Sequence, residues 1–513
     1  MAKKTIKIEI SESEINRRID QIEKLDCDED LRSFLIDTLK ALVELDRLIG
    51  LKSATIARLR KVFGKQSEKS HAKAPEDKKE AKGNTGGNGH HGKDDYPDAE
   101  EVSYSLDGLK PKDICSECKK GKLYSWDPGI YVRITGSAPL VATIHKTEKL
   151  RCNLCGKIFE ASYEGKGAEK FDSSAKAIIA LLHYKSSMPF YRLEKLQLNL
   201  NIPMPRSTLW NQVESLADHL IIVWKYMVGL AANGELMYID DTTARLLSLI
   251  RENELNKENK KQRTGMYTTG ILSKYQEHQL ILYFTGRAYS GENLARLLEK
   301  RTSKVPVAIM SDALPGNKPK DFEILQYLCL THGRRNFIDV EESFKEQADY
   351  VVKLIAEVYK NDGITKSKEM TPLERLEFHK LNSAPVMDQL KKWLNDAFKD
   401  KLVEPNSTLG KGITYMLKHW KGLTGFLRHV GAPLDNNVLE AQLRVPVLNR
   451  KNWLFFKNTY GAFVGDIILS MIKTCEVEGE NPLEYMITIQ DQHHRVKENP
   501  SLWMPWNYKL NLS

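Results

Sequence analysis

At 513 residues the chain is too long for a single hydrophobic core, and its length suggests roughly three or four modules. Its 41% hydrophobic and 28% charged residues are ordinary for a soluble protein, and a net charge of +9 permits a polyanionic partner without proving one. The opening "MAKKTIKIEISESE" lacks the apolar stretch of a secretory signal, and the longest greasy run, 220–232, is broken by Lys225 and too short to cross a bilayer. Seven cysteines, an odd number with four in two C-x-x-C pairs, point to metal ligation in a reducing compartment rather than to a disulfide framework. The expectation is a cytoplasmic protein without membrane contact.

The N-terminal segment, 1–63, carries a heptad pattern. Leu35, Leu42, Ile49, Ile56 and Phe63 share one position, and Leu31, Thr38, Leu45, Lys52 and Leu59 share its partner. That is the seam of a zipper-like helix, and it predicts self-association, with an amphipathic helix packed on its own protein as the alternative. Gly50 weakens the helix by about 1 kcal/mol. Residues 64–113 contain almost no branched aliphatics and cannot offset their ordering entropy, so they read as a disordered linker.

Residues 114–165 contain "CSECKKGK" and "RCNLCGK", two C-x-x-C knuckles each followed by Gly and Lys. Cys115, Cys118, Cys152 and Cys155 are the thiolates of a zinc ribbon, in which one structural Zn²⁺ holds together a module lacking its own core. Cys27, Cys329 and Cys475 stand alone and read as packing residues. Residues 166–233 are helical. A helix from Tyr191, a break at "NIPMPRST" and a second helix capped by Ser207 or Thr208 resemble a helix-turn-helix, a DNA-binding element.

From 234 the texture becomes α/β. "LMYIDDTT", "GMYTTGILS" and "QLILYFTG" read as three strands, "SGENLARLLEKR" as a helix, "VPVAIMSD" as a buried strand and "YLCLTH" as a short one. That order is expected of a ribonuclease-H-like domain, with its first part at 234–339, a helical insertion at 340–430 and completion at 431–480. Residues 481–513 read as a C-terminal tail. Asp240 ends the first strand, Asp312 ends the fourth, and Glu440 lies on the helix after the insertion. Three carboxylates from two strands and a helix can hold two divalent metals, and hard oxygen ligands suit Mg²⁺, with Mn²⁺ as its substitute. Spacing alone does not establish this, since a solvated strand end explains any one acidic residue more cheaply. Strand alternation turns Asp241 away from Asp240.

Four stretches carry a family likeness. "IDDTT" (239–243), "IMSDALPG" (309–316), "CLTHGRRNF" (329–337) and "DNNVLEAQLRVPVLNRKNWLF" (435–455) resemble the motifs of transposases of the insertion-sequence-66 family. The resemblance implies a ribonuclease-H-like DDE catalytic domain with a helical insertion, in an α+β multidomain chain. It places the catalytic aspartates on Asp240 and Asp312 and the glutamate on Glu440. Ala441, Val445 and Asn449 depart from the family pattern, as do Asp241 and Thr243, but none removes a metal ligand. Companion proteins encoded by the same element are a further implication.

Around the glutamate, Arg444, Arg450 and Lys451 interleave with Trp453, Phe455 and Phe456, a pattern able to grip phosphates and stack a splayed base, although the aromatics are equally suited to core. Arg334 and Arg335 open a helix past the sheet edge and are further candidates for DNA contact. His332 beside them is given no acid–base role. The expected activity is DNA transposition, meaning metal-dependent cleavage at element ends followed by strand transfer into double-stranded target DNA, performed by a homo-oligomer. A nuclease of the same fold without strand transfer, and an inactive transposase-derived DNA-binding protein, remain alternatives. A zinc-ribbon adaptor leaves the α/β half unexplained.

Overall fold

The computed structural model describes residues 169–512 apart from 257–262 and 320–321, together with short stretches between 112 and 161 and the single positions 21 and 28. The zipper-like seam, most of the 64–113 linker, and Cys115, Cys118, Cys152 and Cys155 lie outside the described residues. Two compact units are distinguished, Met1–Arg133 and Ile134–Ser513. In the first, Ile114 and Lys122 form an antiparallel bridge on either side of one cysteine pair. In the second, a hairpin pairs Lys149–Arg151 with Ile158–Glu160 on either side of the other.

Helix α1 (Ser173–Ala180) runs into one π turn, Leu181–Lys185, and α2 (Phe190–Asn199) follows. The second helix of the pair, α3, spans Arg206–Ala232. Neither Ser207 nor Thr208 caps it. Extended Pro205 precedes the helix and its carbonyl accepts the Leu209 N–H, so the helix starts at Arg206 and both hydroxyls fall inside its first turn. Along α3, Leu209, Val213, Leu216, Leu220, Val223 and Met227 are buried at helical spacing, the mark of a helix laid lengthwise on a core. It is long and apolar enough to cross a membrane, but half of its most apolar window is buried inside the protein.

Strands β1 (Leu236–Thr243), β2 (Tyr267–Tyr275) and β3 (His278–Gly286) form an antiparallel meander, with α4 (Leu247–Leu255) between the first two. Helix α5 (Ser290–Leu298) then leads to β4 (Val307–Ser311) and β5 (Ile324–Leu328), which add in parallel on the other side of β1. The sheet order is β3-β2-β1-β4-β5, with β2 alone antiparallel to the rest. The last strand is displaced from "YLCLTH": it begins at Ile324 and ends at Leu328, and Cys329 starts α6 (Leu330–Ile338).

Both faces of the sheet are covered, so its strands are apolar on both sides. Met237 and Ile239 enter one core with α1 and α3, whereas Tyr238 and Met310 enter the other with the helices that follow β5. Those helices are α7 (Lys345–Ser367), α8 (Pro372–Asn382), α9 (Ala384–Lys399) and α10 (Thr408–Leu423). The chain then returns to the sheet in α11 (Asn437–Trp453) and α12 (Thr459–Val477). The segment read as a tail is structured: α13 (Pro482–Asp491) and α14 (His493–Glu498) pack, and Tyr485, Trp503 and Tyr508 are fully buried.

Helix α12 closes the outer edge of β3. Glu478, Thr474, Ser470 and Asp466 accept the N–H groups of Gln279, Ile281, Tyr283 and Thr285 at 2.7, 3.0, 3.0 and 2.7 Å. Four side chains, four residues apart, thus satisfy alternate donors of an edge strand that would otherwise be orphaned in the core. Ser470→Ala is expected to destabilise the fold by about 1–3 kcal/mol in urea denaturation, because the buried Tyr283 N–H loses its acceptor.

Candidate active site

The strand register brings two carboxylates level. Tyr238 of β1 pairs with Met310 of parallel β4, and Asp240 and Asp312 each follow two residues later. Asp312 lies just past the end of β4, but Asp240 does not end its strand as expected, because β1 stays paired with β2 as far as Thr243. Both share the face of Tyr238 and Met310, over which α11 packs. Glu440 sits in the first turn of α11. Burial pushes the Asp240 carboxyl up to about 7; the hydrogen bond from the Asp241 N–H opposes this, and the negative charges of Asp312, Glu440 and Asp241 add to it. The three carboxylates are thus near enough for their charges to interact, and repulsion among half-buried carboxylates favours a cation. The Oε1 atom of Glu440 is buried without a hydrogen-bond partner, an orphan acceptor of the kind a metal satisfies.

Two devices hold α11 in place. Asn436, just before the helix, donates through Nδ2 to the Ile239 carbonyl at 3.1 Å, one residue before Asp240. Its own N–H donates to the Cys329 sulfur at 3.3 Å. At the other end Arg450 donates to the Thr243 carbonyl at the end of β1, and the Phe456 N–H donates to the Arg245 carbonyl at 2.8 Å. Between them Gly270, paired with Asp240, lets the helix approach: a Cβ there would lie 2.8 Å from Leu443 Cδ2. Gly270→Val is expected to lower stability by about 1–3 kcal/mol in chemical denaturation by overpacking this seam.

Asp241 faces the opposite side of the sheet. It accepts from the Thr269 hydroxyl at 2.6 Å and from the Ser290 N–H at 2.8 Å, so it caps α5. Asn293 donates to Thr269 at 2.8 Å. Asn317 links Ser290 to Asp312, donating to the latter's Oδ1, which also accepts the Leu314 N–H at 3.2 Å. This chain of side chains steadies Asp312.

Of the cationic candidates, Arg335, Arg444 and Lys451 are exposed, and Arg444 is one helical turn from Glu440 on the same face. Arg334 is half-buried, with its Nε unpartnered. Arg450 is partly committed to Thr243. Trp453 packs against His183 and Phe456, whereas Phe455 is 44% exposed beside a groove of about 570 Å³ lined also by Tyr191, Trp210, Lys457 and Tyr460.

Reading the sequence missed Cys329 and His332 as neighbours of Glu440. One ligand atom from each of the three lies within 4.8 Å of the others. The C-x-x-H spacing at the start of a helix was the available signal. Asn436 was quoted in a motif but given no task.

A family model described as transposase, IS66 family, matches residues 169–463, more than half of the chain and all three acidic residues. Uncharacterized protein y4jD of Sinorhizobium fredii is 31% identical over 188 residues, 36% of this chain and 36% of that protein. Uncharacterized protein y4qI of the same organism is 24% identical over 352 residues, 65% of this chain and 62% of that protein. The chain thus spans less than two thirds of the length of either relative. On that match over residues 169–463, the chain belongs to the IS66 transposase family.

Proposed function

We propose that this protein is a DNA transposase whose Asp240, Asp312 and Glu440 bind two Mg²⁺ ions, and that its sheet is a ribonuclease-H-like DDE core interrupted by the helical insertion. The observation that supports the reading is that β1, the end of β4 and α11 bring three carboxylates near one another, with Asp240 destabilised as an anion by burial and, in addition, by the charges of the other two. The strand order with a single antiparallel member supports the fold. The donor set is all hard oxygen and includes an unpartnered carboxylate atom, which fits Mg²⁺. Bound there, the ions supply Lewis-acid stabilisation of the entering and leaving oxygens of an in-line displacement.

In the first step water adds to the phosphorus at an element end and the P–O3′ bond breaks, leaving a 3′-OH and a 5′-phosphate. In the second, that 3′-OH adds to a phosphorus of target DNA and displaces another 3′ oxygen. Neither step needs a covalent enzyme intermediate. Asn436 and Asn317 keep Glu440 and Asp312 in position. Arg444, Lys451, Arg334 and Arg335 meet phosphates, with Arg450 bracing α11, and the aromatic groove beside Phe455 offers a stacking surface for an unpaired base. Cys115, Cys118, Cys152 and Cys155 hold one structural Zn²⁺ as a ribbon. That ribbon and α2–α3 engage element ends, and the N-terminal seam joins copies of the chain.

The test is incubation of the full chain with a labelled element-end duplex, target plasmid and Mg²⁺. Joined products support the transposase. Cleavage without joining identifies a nuclease, and binding without cleavage identifies a DNA-binding derivative.

A further inference from the structure

We infer that Cys329, His332 and Glu440 form a second metal site, selective for a borderline-soft divalent ion of the zinc class, which captures the glutamate needed by the Asp240–Asp312 pair. The clause about capture rests on the proposed catalytic role of Glu440; the binding site itself does not.

The three ligand atoms come from two segments latched together. Cys329 lies at the junction of β5 and α6, His332 in the first turn of α6, and Glu440 in the first turn of α11. The Cys329 N–H donates to the Ser311 carbonyl at 2.9 Å and the Leu330 N–H to the Leu434 carbonyl at 3.0 Å, fixing that junction beside β4 and the approach to α11. Sulfur, ring nitrogen and carboxylate oxygen all lie within 4.8 Å of one another. In a tetrahedral zinc site such atoms stand about 3.3–3.6 Å apart, given bonds of about 2.0–2.3 Å, so side-chain rotations of His332 and Glu440 can close the remaining gap.

The surroundings leave ligand atoms unspent. Cys329 is fully buried, and its sulfur accepts the Asn436 N–H at 3.3 Å. His332 Nδ1 and Glu440 Oε1 are both buried atoms without a hydrogen-bond partner. On binding, the Cys329 thiol loses its proton to solvent, the sulfur–metal bond forms, and a water completes four ligands. The Cys–His–Glu set is softer than the all-oxygen set next to it, so the two sites prefer different ions while sharing one residue. Glu440 cannot serve both at once.

The full chain is equilibrated with zinc chloride, passed through gel filtration, and its metal counted for wild type, Cys329→Ser and His332→Ala, with thermal melts checking that each variant is folded. Wild type is expected to carry one equivalent more than either variant. A ribbon zinc raises every count equally and leaves the difference intact. Equal counts in folded wild type and His332→Ala overturn the site. Where the chain cleaves DNA, micromolar zinc is expected to inhibit the Mg²⁺ reaction, and about tenfold more to be needed in Cys329→Ser. A one-equivalent difference with unchanged zinc sensitivity overturns the capture while leaving the site.

Discussion

Asp240→Asn and Glu440→Gln are each expected to reduce Mg²⁺-dependent DNA cleavage by about 10³-fold or more, with DNA binding by gel shift changed less than about twofold. A metal site supplies several kcal/mol of charge stabilisation, and about 4 kcal/mol corresponds to three decades of rate. The amides keep the shape of each side chain but lose the anionic ligand. Unfolding is not expected to confuse the result. Burial and the neighbouring carboxylates raise Asp240 to about 7, above its unfolded value. A carboxyl raised in this way retains its proton in the folded state, so stability falls as pH rises from about 4 to about 7. Asp240→Asn removes that dependence. Without metal at pH 8 it should melt at the same temperature as wild type or higher, and a markedly lower melting point would mean that lost activity reports lost fold.

Asp362→Ala is expected to destabilise the protein by about 3–5 kcal/mol, the largest stability effect of any single change considered. Asp362 lies on α7 and is 4% exposed. Its Oδ1 accepts from Arg375 Nε and Nη2 at 3.0 and 2.8 Å and faces His379 Nε2 at 3.3 Å, while Lys366 meets Oδ2 at 2.8 Å. Removing the carboxylate leaves the half-buried Arg375 guanidinium and the buried His379 without their shared partner. Burial alone would raise this carboxyl, but the hydrogen bonds of His379 and Lys366 and the charge of Arg375 outweigh it and hold it far below the usual range. A depressed carboxyl contributes stability that is complete above its unfolded value near 4 and is lost as pH falls below it. Urea denaturation at pH 7 and pH 3 should therefore show a smaller acid loss in Asp362→Ala than in wild type. Arg375 also donates to the Ala432 carbonyl at 2.8 Å, so the variant loosens the approach to α11 and cleavage should decline with stability.

Strand identity and the level of the two aspartates were legible because burial on both faces writes unbroken apolar runs, and "LMYIDDTT" matches β1 residue for residue. The side on which Asp241 lies followed from alternation. Local pattern reports burial, however, and does not name the partner. Cys329 was legible as a buried cysteine, but its meeting with Glu440 depends on a fold-back across the entire insertion. Arg450 reads as a phosphate ligand by charge, and the carbonyl of Thr243 that engages it lies in a distant strand. Trp503 and Tyr508 looked like tail residues because short 3₁₀ turns have no extended period to recognise.

The contact between α12 and the edge of β3 has a geometric limit. Four residues of helix advance about 6.0 Å, whereas two residues of strand advance about 6.6 Å. The two scales drift by about 2 Å over three steps, roughly the tolerance of hydrogen bonding, so a ladder of this kind can have four rungs and little more. A vernier of that sort has one good setting: sliding α12 by a turn would leave a rung empty at one end and spoil the match of Asp466 with Thr285. It also occupies the donors through which a strand from another molecule would add, so association of copies by sheet extension is closed at β3 and has to use other surfaces.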